Sequence, residues 1–294
     1  MAARTKPSPG AVSCDDPAMD PGLDPDFGAT ASDYATHRAG FPESFFARMA
    51  ERGVGAPGQR LVDLGTGTGT LARGFARRGC RVIGIDPQEA MLAQARRLDA
   101  EAGLGAPSGS AAATTGFAGV DYRRATAEQT GLPAASADVV AAGQCWHWFD
   151  RPRAAREAAR LLDAGGRLVI AHYDWLPLRG NVAYATEALI RAHNPRWNLG
   201  GGSGFYPEWL RGLAEEGFRD LESFSYDEPA LYTPEAWRGR IRASAGVGAS
   251  LPPSAVDAFD AELAALLARD FPGASLSIPH RVFVVLARPP APAP

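Results

Sequence analysis

The sequence predicts an α/β protein, with a mostly parallel sheet, helices on both of its faces and a helical lobe toward the C-terminus. Three observations carry this reading. The stretch Arg60-Leu-Val-Asp-Leu-Gly-Thr-Gly-Thr-Gly-Thr70 reads as a buried strand, a glycine-rich turn and the start of a helix. Short apolar runs then alternate with helix-period segments as far as Ala171, the pattern of successive βαβ units. Beyond Trp175 the connections at 179–204 and 232–272 are long for a sheet and carry helical periodicity, so they are expected to form a lobe over its ligand edge.

Size and composition agree. The 294 residues, 46% apolar and 21% charged, suit a soluble globular chain with one large core or a core and a smaller lobe. A net charge of -3 argues against a dedicated nucleic-acid surface. No run of about 20 apolar residues suggests a membrane span, and the N-terminus lacks the basic start and apolar core of a signal peptide. The three cysteines, Cys14, Cys80 and Cys145, are odd in number and have no zinc or redox spacing. A cytoplasmic protein without a metal site is the expectation.

Taken in order, residues 1–30 are rich in Pro, Asp and Gly and are expected to form a disordered tail. The cofactor-binding core is expected over 31–178. Phe45, Phe46, Met49 and Ala50 lie at helical spacing, which predicts a helix over 43–52. Strands are predicted over 60–64 and 81–85, with a helix over 70–78 between them. Pro87 suits the first position of the next helix, whose Ala90, Met91, Ala95 and Leu98 share a face. Residues 102–119 lack periodicity and read as a flexible insertion. Strands follow over 120–124 and 137–142, a helix over 152–162 closed by Gly165-Gly166, and a fifth strand over 167–171. The C-terminal part, 179–290, is expected to hold helices over 182–193, 206–216, 234–242 and 254–269 and two last strands, over 218–226 and 280–287. Gly200-Gly201-Gly202 reads as a mobile loop.

Open α/β sheets bind ligands at the carboxyl ends of their strands, which draws attention to the glycine turn. Gly65, Gly67 and Gly69 can adopt positive φ and admit a ligand close to the backbone, just before a helix N-terminus. No lysine follows, which excludes a P-loop, and the third glycine of a dinucleotide fingerprint is replaced by Thr70. Asp63 precedes the turn, where an acid repels a pyrophosphate and favours an ammonium group. Asp86, at the end of the second strand, is placed to accept two ribose hydroxyls. A site that wants a ribose and a cationic amino-acid end, with no call for phosphate, follows from these residues.

With these features in place, the chain resembles the class I S-adenosylmethionine-dependent methyltransferases, in the small-molecule branch related to trans-aconitate and quinone-precursor methyltransferases (methyltransferase type 11). The likeness runs from about Ser32 to Ala171. It rests on Tyr34 and Arg38 with Gly40-Phe41-Pro42, on Val62-Asp-Leu-Gly-Thr-Gly-Thr-Gly69, and on Gly84-Ile-Asp-Pro87 with Met91. Ala125-Thr-Ala-Glu-Gln-Thr-Gly-Leu-Pro133, Ser136-Ala-Asp-Val-Val140 and Gln144-Cys-Trp-His-Trp-Phe-Asp150 continue it. The resemblance implies a Rossmann-like fold with a seven-stranded sheet, S-adenosyl-L-methionine as cofactor and S-adenosyl-L-homocysteine as product. It also implies roles. Gly65, Gly67 and Gly69 would line the methionine portion, Asp63 would support that turn, Thr66 within it would also belong to the cofactor site, and Asp86 would hold the ribose. Pro87, Met91, Thr126, Ala127 and Glu128 would surround the adenine, although many relatives carry an aspartate at the place of Thr126. Gln144 would meet the methionine end, and Tyr34 and Arg38 would close over the cofactor.

Methyl transfer is an in-line displacement that asks chiefly for alignment and exclusion of water. Two clusters after the fourth and fifth strands should face the glycine turn: Trp146-His147-Trp148-Phe149 and His172-Tyr173-Asp174-Trp175. His147 is the candidate base, because an imidazole changes charge near neutral pH, and Asp174 is the candidate group to orient it. Trp146, Trp148, Tyr173 and Trp175 are candidate substrate walls. Arg240, in the run Trp237-Arg-Gly-Arg-Ile-Arg242, is the candidate to meet a substrate anion, although such arginines more often sit in surface ion pairs. Asn194-Pro-Arg-Trp197 is misplaced for the Asn-Pro-Pro-Tyr signature of nucleic-acid amino-methyltransferases, which belongs directly after the fourth strand. The expected partner is therefore a small molecule, not a nucleic acid or a membrane. Two other readings stand beside this one: an NAD(P)-dependent oxidoreductase, disfavoured by Thr70 and Asp63, and a non-catalytic S-adenosylmethionine-binding domain, disfavoured by the length of chain after the fifth strand.

Overall fold

A computed structural model describes His37 and residues 40–104 and 119–291. In chain order its elements are α1 (Glu43–Ala50), β1 (Arg60–Leu64), α2 (Thr70–Ala76), β2 (Arg81–Asp86), α3 (Glu89–Glu101), β3 (Asp121–Arg124) and β4 (Ala137–Gly143). A 3-10 turn (Trp146–Trp148), α4 (Arg151–Leu161), β5 (Leu162–Trp175), α5 (Val182–His193), α6 (Pro207–Glu215), β6 (Arg219–Asp227) and β7 (Ala230–Tyr232) follow. The last are α7 (Pro234–Arg242), α8 (Pro253–Asp270), β8 (Leu276–Ile278) and β9 (His280–Arg288).

Seven strands form one sheet in the order β3-β2-β1-β4-β5-β9-β6. The five from β3 to β5 are parallel, and β9 is antiparallel to both β5 and β6. The central strands read as near-continuous apolar runs because both faces are covered. One face packs Leu61, Val139, Val169 and Val284 against Phe45, Phe75 and Leu92. The other packs Val62, Val140, Ile170 and Val285 against Ala154, Leu161 and Trp209. The strand order reverses between β1 and β4, so the carboxyl ends of these two strands flank the crevice where such sheets take ligands. The glycine turn leaves β1 there, and Gln144 leaves β4.

Two local features differ from the sequence expectation. Gly165 and Gly166 do not close a helix. The helix ends at Leu161, and the glycines lie in the early part of β5, where pairing with β4 jumps from Ala137↔Leu162 to Val139↔Arg167. β5 also continues past Ala171 to Trp175, because β9 pairs with it to the end, His280 opposite Trp175. The cluster His172 to Trp175 is therefore strand, with side chains alternating between faces, and not a loop.

α5, α7 and α8 pack together beside the sheet around Trp237, Phe259, Leu263 and Ile190, with the short β7–β8 pair against them. That two-stranded sheet has no clear signal in the sequence. Capping fixes the helix starts: Asp150 accepts from the Arg153 amide at 3.2 Å, Asn181 from Tyr184 at 2.8 Å and Thr233 from Ala236 at 3.1 Å. The tail over 1–30 and residues 105–118 of the insertion lie outside the described residues. Of the insertion's edge, Leu104 is buried at 5% exposure and belongs to the packed structure.

Candidate active site

The turn after β1 takes its shape from the glycines and from two acids. Gly65, Gly67 and Gly69 have φ of 62°, 55° and 77°, a region costly to residues with a Cβ. Asp63 is buried, and its Oδ2 accepts from the Thr66 hydroxyl at 2.7 Å. Burial pushes its carboxyl up to about 7, against the lowering effects of Thr66 and of the Ala72 amide, and the nearby Asp86 adds to the rise. Asp86 closes β2 at 8% exposure. Its Oδ2 accepts from the Gly67 amide and its Oδ1 from the Gln88 amide, both at 2.9 Å. Burial raises its pKa and these two amides oppose the rise. Asp86 thus braces the turn as well as offering its remaining lone pairs to a ligand.

The three glycines serve different ends. A Cβ on Gly67 would approach the Met91 Cε to 3.3 Å, and one on Gly65 would approach the Cys145 Sγ and the tip of the Phe149 ring to 2.9 Å. A Cβ on Gly69 would lie 2.1 Å from the Tyr122 hydroxyl. That hydroxyl donates to Asp99 at 3.0 Å, and Asp99 also holds the Arg73 Nε at 2.6 Å. Internal packing against this buried trio therefore accounts for Gly69 without any ligand.

The remaining residues expected at the cofactor are spread around this turn. Met91 and Ala127 are buried, and Pro87 and Thr126 are exposed. Glu128 accepts from the Asp150 amide at 3.0 Å and so ties the strand-three loop to the start of α4. Gln144 adopts φ of 62°, a strained geometry for a residue with a side chain. Its amide donates to Ala171 O at 2.8 Å and its side chain to Tyr173 O at 3.1 Å. Tyr34 and Arg38 lie outside the described residues. His37 is described, and its ring packs where a Gly239 Cβ would be.

A cavity of about 820 Å³ opens beside Gln144 and Phe149, between the carboxyl edge of β4 and β5 and the lobe. His147, Trp148, Asp174, Trp175 and Arg240 line it. Trp146 and Tyr173, expected in this wall, are elsewhere. The 3-10 turn rotates Trp146 inward to 2% exposure, edge-on to Phe149 at 5.8 Å between centroids. Tyr173 projects from the face of β5 opposite His172 and Asp174; it packs on His280 at 4.7 Å and donates to Glu228 O at 3.0 Å.

Within the cavity the polar groups form two sets. Asp174 Oδ2 accepts from the Tyr206 hydroxyl at 2.6 Å and lies 3.3 Å from His172 Nδ1. Burial alone would raise the Asp174 carboxyl, but His172, Tyr206 and the more distant His147 together hold it well below the ordinary carboxylate range. The His172 ring lies 5.2 Å from that of His147, 4.9 Å from Tyr206 and 4.8 Å from Trp209. On the lobe side, the Arg240 guanidinium lies over the Trp175 ring at 4.8 Å. The Trp175 indole donates to Glu187 at 2.9 Å, and the other Glu187 oxygen accepts from the Gly201 amide at 2.7 Å. The neighbouring arginines are otherwise engaged: Arg238 and Arg242 with Asp260 and Glu235, and Arg281 with Asp227. His172 and Glu187 join the site without a role read from the sequence. The His-x-Asp spacing on a strand would have flagged the first, had β5 been extended to Trp175.

Residues 62–170 match the model of the methyltransferase domain family. Those residues carry the likeness to a methyltransferase domain, on a sheet of the Rossmann-like class I methyltransferase fold. The matched segment runs from β1 through most of β5 and contains the glycine turn, Asp86 and Gln144. The chain is similar to an uncharacterised methyltransferase of Mycobacterium tuberculosis, 32% identical over 142 residues, 48% of this chain and 49% of that protein. It is similar also to a ubiquinone biosynthesis O-methyltransferase of Hahella chejuensis, 41% identical over 85 residues, 29% of this chain and 30% of that protein. The chain thus matches about half the length of the first of these and less of the second. Among solved structures, the phosphoethanolamine N-methyltransferase 2 of Haemonchus contortus in complex with S-adenosyl-L-methionine superposes with a TM-score of 0.50 at 19% identity, over 90% of this chain and 57% of that one. That likeness concerns the fold.

Among the described residues, no group of three or more His, Cys, Asp or Glu side chains is placed to hold a metal ion, and no helix is long and apolar enough to cross a membrane.

Proposed function

We propose that the chain is an S-adenosylmethionine-dependent methyltransferase that acts on O, N or C of a small molecule held in the cavity beside Gln144. The observation that carries the reading is the pairing of Asp86 with the glycine turn at the switch point of the sheet. Each Asp86 oxygen already receives one backbone amide, and a carboxylate oxygen has capacity for a second donor, so the residue fits a ribose diol. An added Cβ on Gly67 would meet only the end of the Met91 side chain, at 3.3 Å, so the turn is approachable there, and the Asp63 carboxyl beneath gives that backbone a polar support without a fixed positive charge. A methionine-like ammonium end suits this set better than a pyrophosphate does.

When bound, the cofactor supplies a methyl group on a positively charged sulfur, a good leaving group. The residues of the chain then have three tasks. Asp86 and the glycine turn fix the ribose and the methionine end. Gln144, anchored at both its amide and its side chain, stands where this end would meet the cavity. Trp148, Trp175 and Tyr206 shape an aromatic enclosure that aligns an acceptor and excludes water, with His147 and Arg240 as polar contacts. A planar or carboxylate-bearing metabolite suits such walls and such an arginine. The core over 31–178 takes the cofactor and supplies one wall of the cavity with His147, Trp148 and Trp175, and the part over 179–290 supplies Tyr206 and Arg240.

The test is direct. Purified protein mixed with labelled S-adenosylmethionine and a fractionated small-molecule extract should transfer label to a product smaller than a protein. Cofactor binding with no labelled product from any fraction would favour a non-catalytic binding domain.

A further inference from the structure

Three observations converge on one wall of the cavity. His172 is buried at 2% exposure, and its Nε2 has no hydrogen-bond partner among the described residues. Its Nδ1 faces Asp174 Oδ2 at 3.3 Å, and the Tyr206 hydroxyl donates to the same oxygen. The ring of His147, which lines the cavity, meets the His172 ring at 5.2 Å between centroids and 61° between planes. A buried histidine beside an ionised carboxylate keeps its proton on the nitrogen that faces the carboxylate, which leaves Nε2 as a bare acceptor in an apolar setting. Tyr206 and Trp209, stacked at 4.1 Å, seal the ring.

Resting on the methyltransferase reading, we propose that His172 and Asp174 are positioning residues that hold a negative charge behind His147, making His147 the proton acceptor for a methyl acceptor whose O–H or N–H must lose its proton. In the transfer, the acceptor lone pair forms the new bond to the methyl carbon, the electron pair of the breaking carbon–sulfur bond stays on sulfur, and the acceptor proton moves to the His147 imidazole. The imidazolium so formed is balanced by Asp174 through the His172 ring. The site therefore selects acceptors that begin protonated, such as a hydroxyl or a ring N–H, over free tertiary amines or thioethers, which have no proton to give.

Other charged groups stand on the elements packed against the pair. On β9, Phe283 lies opposite His172, and Arg281, opposite Asp174, is paired with Asp227. At the start of α4, Asp150 caps the helix and Arg151 lines the cavity, as Glu208 does from α6. The Tyr206 hydroxyl, which donates to Asp174 Oδ2 at 2.6 Å, favours the ionised carboxylate whatever the charge on the rings.

Ring-nitrogen NMR on the full-length protein tests this without any acceptor, because the chain has 5 histidines to assign. The wild-type protein should show His172 as the Nδ1–H tautomer near neutral pH. Asp174→Asn should lower the titration midpoint of His147 by on the order of one pH unit. A His172 carrying its proton on Nε2, or a His147 midpoint unchanged in Asp174→Asn, overturns the proposal. The tautomer is read in the wild-type protein, so it decides the matter even if the variant does not fold. Calorimetry with S-adenosylmethionine on the same samples separates the two levels of argument. Failure of the wild type to bind rejects the methyltransferase reading. Binding with an uncoupled His147 rejects only the positioning pair.

Discussion

Asp63 offers a quantitative test of how the glycine turn is built. Its carboxyl is 1% exposed and pushed from the ordinary 3.8 to about 7. An aspartate raised in the folded state binds its proton more tightly there than in the unfolded chain, so stability falls as pH rises from about 4 to about 7 and stays low above that. At 1.36 kcal/mol per pH unit, the full loss is about 4 kcal/mol, of which about 2.5 kcal/mol falls between pH 5 and pH 8. Asp63→Asn removes the titrating group and keeps an oxygen for the Thr66 hydroxyl. Urea denaturation of both proteins at the two pH values gives the comparison. The wild type should lose about 2–3 kcal/mol more than the variant on going from pH 5 to pH 8. Asp174 and Glu157, whose carboxyls are lowered, act in the opposite sense and mainly below pH 4, so they cancel in the difference. Equal pH dependence in the two proteins would show that Asp63 is ionised at no cost, and the argument that burial raises its carboxyl would fail.

Other expectations follow from the same geometry. Asp86→Ala removes the bond to the Gly67 amide together with the ribose acceptor and should weaken S-adenosylmethionine binding by roughly 1.5–3 kcal/mol; unchanged affinity by calorimetry would contradict the ribose assignment. Gly69→Ala places a methyl group 2.1 Å from the Tyr122 hydroxyl at a φ of 77° and should cost roughly 2–4 kcal/mol of stability; a denaturation midpoint equal to wild type would refute the packing argument. His147→Ala should leave cofactor affinity within about twofold, or 0.4 kcal/mol, while label transfer from S-adenosylmethionine falls; equal transfer would return His147 to a structural part.

The sheet was readable because its signals are local. Alternating apolar runs and helix periods mark β1 to β5, and the glycine turn with Asp63 and Asp86 needs only strand ends to be placed. Tertiary pairing was not readable in the same way. β5 reaches Trp175 because β9, more than 100 residues later in the chain, pairs along it, and nothing between Arg167 and Trp175 announces that. The misplacement of Tyr173 follows from this one error, since alternation on a strand sends it to the face away from Asp174. Trp146 was misjudged because a single 3-10 turn decides which of three adjacent aromatics turns inward. Within the arginine run, acids at Glu235 and Asp260 take up Arg238 and Arg242, and Arg240 stands in the cavity wall. Glu187 gave no signal because its task, holding the Trp175 indole and the Gly201 amide, joins three segments that only the fold brings together.

The central claim, that the turn and Asp86 cradle a methionine-and-ribose cofactor, is tested most directly by calorimetric titration of the purified protein. S-adenosylmethionine and S-adenosylhomocysteine should both bind, and nicotinamide dinucleotides should not. Binding of a nicotinamide dinucleotide, with neither sulfur compound bound, would contradict it.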